Sequence, residues 1–105
     1  MNWKNTNNQR LVKAILALET ETEAERFLRD LMTENEIIEF SGRLQIADLL
    51  TQKTPYSKIE KVTGFSSTTI ARVSQWLRSG EGGYQPILDR ISSNHHATLS
   101  RLRKR

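Results

Sequence analysis

The chain has 105 residues, of which 36% are apolar, 7% aromatic and 27% charged, and its net charge is +4. That is one domain's length with enough Leu and Ile for a small core, which excludes wholesale disorder and favours completing the core by association. With no cysteine, disulfides, thiolate metal sites and cysteine nucleophiles are excluded.

The charge is divided along the chain. Residues 1–50 hold six Lys/Arg against nine Asp/Glu, a balance of −3, whereas residues 51–105 hold ten against three, a balance of +7. Such a division predicts that the second half meets a polyanion. Arg101, Arg103, Lys104 and Arg105 supply four of those charges, and the second half is still +3 without them.

From Met1 to Arg10 the chain is polar and has no apolar stretch of a signal peptide, so a cytoplasmic protein is expected. Leu11 to Leu18 reads as a helix apolar over much of its circumference, which a small monomer cannot cover. It carries Lys13 and is too short to span a bilayer, so no membrane partner is expected. Thr22 is placed as the N-cap of a second helix, with Glu23 and Glu25 in its first turn and Phe27, Leu28 and Leu31 on its apolar face. Thr33 and Glu36 have the capping-box spacing and open a long helix to about Gln52. Its core face is read as Ile37, Phe40, Leu44, Ala47 and Leu50. Pro55 suits the first position of the next helix, whose core face is Ile59 and Val62 and which stops at Gly64. Ser66 opens a helix through Leu77, residues 79–83 form a flexible break, and Tyr84 to Ile91 make a last short helix. Residues 1–92 are thus expected to form a single helical domain, and 93–105 a basic, frayed tail.

The most specific pattern lies at about residues 55–78. Gly64 supplies the positive φ of a tight turn between two steeply crossing helices, and Ile59, Phe65, Ile70 and Val73 are spaced to fill their angle. Short residues at the start of the second helix permit close approach to DNA. Ser67, Thr68 and Ala71 are expected to face base edges, with Ser66, Lys58 and Arg72 near the phosphate backbone. Lys61 adds flanking charge. Glu60 stands where such units often carry a small residue. A plain packing hairpin would show much of the same pattern.

No enzymatic constellation is apparent. His95-His96 lie in the polar tail, and Gly80 to Gly83 lacks the following Lys-Ser/Thr of a phosphate loop. An alternative class remains: an interaction module that binds a protein partner through the acidic N-terminal half.

From Leu31 to Leu77 the chain resembles the Trp repressor family. The landmarks are Leu31-Met32-Thr33, Gly42-Arg43, Leu49-Leu50, Gly64 and Thr68-Thr69-Ile70-Ala71-Arg72. The closest likeness is to the Trp-repressor-related proteins of Gram-positive bacteria. The resemblance implies an all-α fold of six helices, an intertwined homodimer whose helix-turn-helix units enter successive major grooves of double-stranded DNA. It also implies an effector pocket at Thr33, Arg43, Thr69 and Arg72, whose polar rim would hold a carboxylate or another small anion. The two arginines would stack on an aromatic ring. Two positions depart from the family pattern: Val73 replaces a Gly and Trp76 a Ser. Both take up volume that a free indole needs, so L-tryptophan is not expected as co-repressor, and no cofactor is assigned. Arg43 and Arg72 have the alternative of pairing with Glu or Asp in the dimer.

Overall fold

A computed structural model describes residues 1–92, in which there are six helices and no strand. They are α1 (Thr6–Leu16), α2 (Glu21–Leu31), α3 (Glu34–Thr51), α4 (Tyr56–Thr63), α5 (Ser67–Ser79) and α6 (residues 84–92). The all-α expectation holds. The tail assigned to 93–105, with His95 and His96, lies outside the described residues. No described helix is long and apolar enough to cross a membrane.

Two compact units divide the chain, Met1–Ile37 and the residues from Ile38 onward. In the first unit α1 begins five residues earlier than Leu11. Asn5 caps it, its Oδ1 accepting from the Asn7 and Asn8 amides at 2.9 and 3.3 Å. The cap of α2 is Thr20, not Thr22: Thr20 Oγ1 accepts from Glu23 N at 3.1 Å, and the Glu23 carboxylate accepts from Glu19 N at 3.1 Å. Both threonines have Glu three residues on, and the earlier one wins because Glu23 satisfies a second amide there. Thr33 caps α3 as expected. Glu36 N donates to Thr33 Oγ1 at 3.2 Å while Thr33 N donates to Glu36 Oε1 at 2.9 Å. Neither α1 nor α2 buries a single residue.

The core belongs to the second unit. Ile46, Ala47, Ile59, Ile70, Val73 and Leu88 are buried, with Leu49, Leu50, Phe65 and Tyr84 packed against them. The buried stripe of α3 is Gly42, Ile46 and Ala47, so the expected face is partly wrong: Phe40 and Leu44 are exposed. Gly42 sits so close to the Phe65 ring that a Cβ there would collide with it. The side of α3 that meets the Phe65 ring is thus the one that carries no side chain at Gly42. Lys53, at φ 60°, ends α3, with Thr54 N donating to Leu49 O at 3.1 Å.

Candidate nucleic-acid interface

Pro55 precedes α4 as its N-cap rather than its first helical residue, and its carbonyl accepts from the Lys58 and Ile59 amides. Gly64 closes α4 in the left-handed region at φ 76°, as expected, and Phe65 and Ser66 complete a three-residue connection to α5. Ser66 then caps α5, its Oγ accepting from Thr69 N at 3.3 Å. Ile59, Ile70 and Val73 are wholly buried, so the crossing of α4 and α5 is filled by aliphatic side chains. Phe65 is only half-buried, and Val62, expected on the core face, is 53% exposed. An eight-residue helix that meets its neighbour at one crossing buries one residue there.

With the inner face fixed, the outer face follows from helical geometry. Lys58, Ser66, Ser67, Thr68, Ala71 and Arg72 are all exposed. Among the described residues Lys58 and Arg72 form no ion pair. Ser66 spends its oxygen on the cap, while Ser67 and Thr68 stand in the first turn beside unpaired helix amides. From Lys53 to Ser79 the chain holds five Lys/Arg against one Asp/Glu. Glu60 is exposed, so its carboxylate does not intrude on α5. Lys53 and Arg78, which sequence reasoning passed over, are exposed cations of the same span. Their signal was the local charge balance, not a motif position.

The residues assigned to an effector pocket divide between the two units. Thr33 belongs to the first, where its hydroxyl is engaged in capping. Arg43, Thr69 and Arg72 belong to the second, and no hydrogen bond joins them among the described residues. Thr69 is half-buried beside Ser66, and Arg72 is exposed. Arg43 is the most elaborately held. Its Nη2 donates to Glu39 Oε1 at 2.9 Å, one helical turn back. Its guanidinium carbon lies 5.4 Å from the ring centroid of Phe40 and 5.4 Å from that of Trp76. Its Nε is buried without a hydrogen-bond partner. Neither ring was read from sequence as a partner of Arg43. The sequence pattern sets Phe40 on the apolar spacing of the long helix and Trp76 in the slot beside Arg43.

Near this cluster Leu44, Trp76, Tyr84 and Ile87 line an open groove with Gly80, Glu81 and Gly83. Among the described residues no group of three His, Asp or Glu is arranged to hold a metal ion.

Comparison with known proteins is consistent across sequence and structure. Residues 6–92 match the family described as Trp repressor protein. The uncharacterised protein YerC of Bacillus subtilis (strain 168) is 38% identical over 91 residues, which are 87% of this chain and 88% of that protein. A crystal structure of a TrpR-like protein from Eubacterium eligens superposes with a TM-score of 0.82 at 36% identity, covering 86% of this chain and 93% of the other. For a Trp repressor candidate from Staphylococcus aureus the values are 0.81 and 39%, covering 88% and 95%.

Proposed function

This chain belongs to the Trp repressor family, and from that premise we propose that it is a transcriptional repressor that binds a palindromic operator as a homodimer. The observation that carries the reading is the N-terminal part of α5, its first turn and the residues just after it. Small residues, Ser67, Thr68 and Ala71, are exposed there on a helix whose opposite side is locked by Ile70 and Val73. Small side chains let the helix enter the major groove and approach base edges, while Ser66, Lys58 and Arg72 lie where phosphates would run. Two such units related by a two-fold axis read half-sites about one turn of DNA, roughly 34 Å, apart.

The homodimer is supported by what a single chain leaves uncovered. Leu11, Ile15, Leu16 and Leu31 are exposed, and the first unit has no buried residue in α1 or α2. A second copy is the occupant that an apolar surface of this kind suits. Free L-tryptophan is not the effector in this reading. The ring position over Arg43 is taken by Trp76, and Val73 belongs to the core.

Selection of bound duplexes from a random pool, followed by titration of the winning sequence over a salt series, tests the proposal. The logarithm of the binding constant should fall linearly with the logarithm of salt concentration, because Lys and Arg displace counterions from phosphates. No enriched sequence, or binding indifferent to salt, would refute it. Retention of an acidic-half partner without any DNA would favour the interaction-module alternative.

A further inference from the structure

We propose that Trp76 is a positioning residue that holds the DNA-reading helix ready without any aromatic ligand. This rests on the assignment of α5 as the reader. The indole of Trp76 lies over the Arg43 guanidinium at 5.4 Å, and the Phe40 ring shares the same cation at the same distance. Glu39 takes the Nη2 edge at 2.9 Å. Arg43 is on α3 and Trp76 on α5, so the stack ties the reader to the long helix.

The remaining guanidinium edge argues that the stack is the natural state of Arg43. Its Nε is buried, and burying part of a cation costs free energy that neighbouring groups must offset. Two ring faces provide that offset, since an aromatic quadrupole attracts a cation more strongly when water is partly displaced. Val73, one turn before Trp76, is fully buried in the core. A free aromatic molecule would therefore have to displace Trp76 to reach Arg43. The chain carries its own ring in the place where a ligand's ring would stack, and α5 is ordered before any small molecule arrives.

The test uses the full chain, dialysed free of small molecules, with its selected duplex. Wild-type protein should bind DNA unaided, and millimolar indole or L-tryptophan should change its affinity less than about twofold. Trp76→Ser should bind roughly threefold to fivefold more weakly, the order expected of a cation–π contact on a ring that is 42% exposed. Trp76→Phe should stay close to wild type, because a smaller ring keeps the stack. Free indole should recover part of the loss in Trp76→Ser but none in the Trp76→Ser, Arg43→Gln double variant, whereas refilling of a merely structural cavity would not depend on the cation. Amide exchange of the DNA-free protein supplies an independent reading: α5 should exchange faster in Trp76→Ser and slow again with indole. Wild-type binding that requires an added aromatic compound would overturn the inference while leaving DNA recognition intact. So would unchanged affinity in Trp76→Ser, or equal collapse of the Ser and Phe variants. If no duplex is bound at all, the DNA-binding reading fails. The exchange measurement then decides alone, and wild-type-like protection of α5 in Trp76→Ser would overturn the positioning role.

Discussion

Gly42 is a glycine in the middle of an 18-residue helix, where alanine would ordinarily be worth about 0.5–1 kcal/mol. Here a Cβ would run into the Phe65 ring, and overpacking of that kind costs on the order of 1–3 kcal/mol. Gly42→Ala should therefore lower stability in denaturant titration despite its better helix propensity. Adding Phe65→Leu should return part of the loss, the non-additivity expected of touching residues; additive effects would show that the two do not meet. Glu36 carries the second argument. The Thr33 backbone N–H, and then the Thr33 hydroxyl, hold its carboxyl below the ordinary 4.5. A carboxyl with a lowered folded-state pKa adds stability above its unfolded value and loses it as pH falls through the folded one. The melting temperature should thus decline on acidification from the ordinary value downward. Glu36→Gln should decline less steeply, because it keeps an acceptor but has no proton to gain. Equal slopes in the two proteins would remove the capping box from the account.

Between residues and the whole chain, the helices differ in how far their sequence announces them. The α4–Gly64–α5 unit was legible because every cue is local: a positive-φ glycine, a serine cap, and aliphatic residues on the inner side. The long helix was legible in extent but not in phase. Ile37, Phe40, Leu44 and Ile46 surround it, and one residue of the buried side is Gly42, whose partner Phe65 is distant in sequence. The Arg43 stack was hidden for the same reason, since Phe40 and Trp76 reach one cation from different helices. Two caps stand at the position the sequence predicts, Thr33 and Ser66, while the cap of α2 falls on Thr20 and Pro55 stands one place before the helix. What is legible on α5 yields a separable prediction. Thr68 is exposed and unbonded in the first turn, so Thr68→Glu removes no packing and places its carboxylate at a favourable helix start. The melting temperature should change little, while specific duplex binding should fall by at least about a hundredfold through repulsion of phosphates and loss of fit. Retained binding would mean that another surface reads DNA.

At the scale of the whole molecule, the two units stand on different footings. The second has a closed set of buried aliphatic residues. The first has helices of eleven residues whose apolar side chains remain largely open: Leu16 is 78% exposed, Ile15 52% and Leu31 49%. Helices of that length are marginal in water unless an apolar face is packed. Their caps at Asn5 and Thr20 contribute only about 1 kcal/mol each, too little to hold them alone. Folding of the first unit should consequently depend on a second copy, and stability should depend on protein concentration. Sedimentation at micromolar concentration should show twice the mass of the chain, and the melting temperature should rise on further concentration. Ile15→Glu sharpens the test, since burying an unpaired carboxylate in the proposed interface costs several kcal/mol. It should yield a smaller species with reduced helicity in which duplex binding is lost along with the two-fold axis. A wild-type chain that sediments as a fully helical monomer, with a concentration-independent melting temperature, would overturn the homodimer and the palindromic operator together.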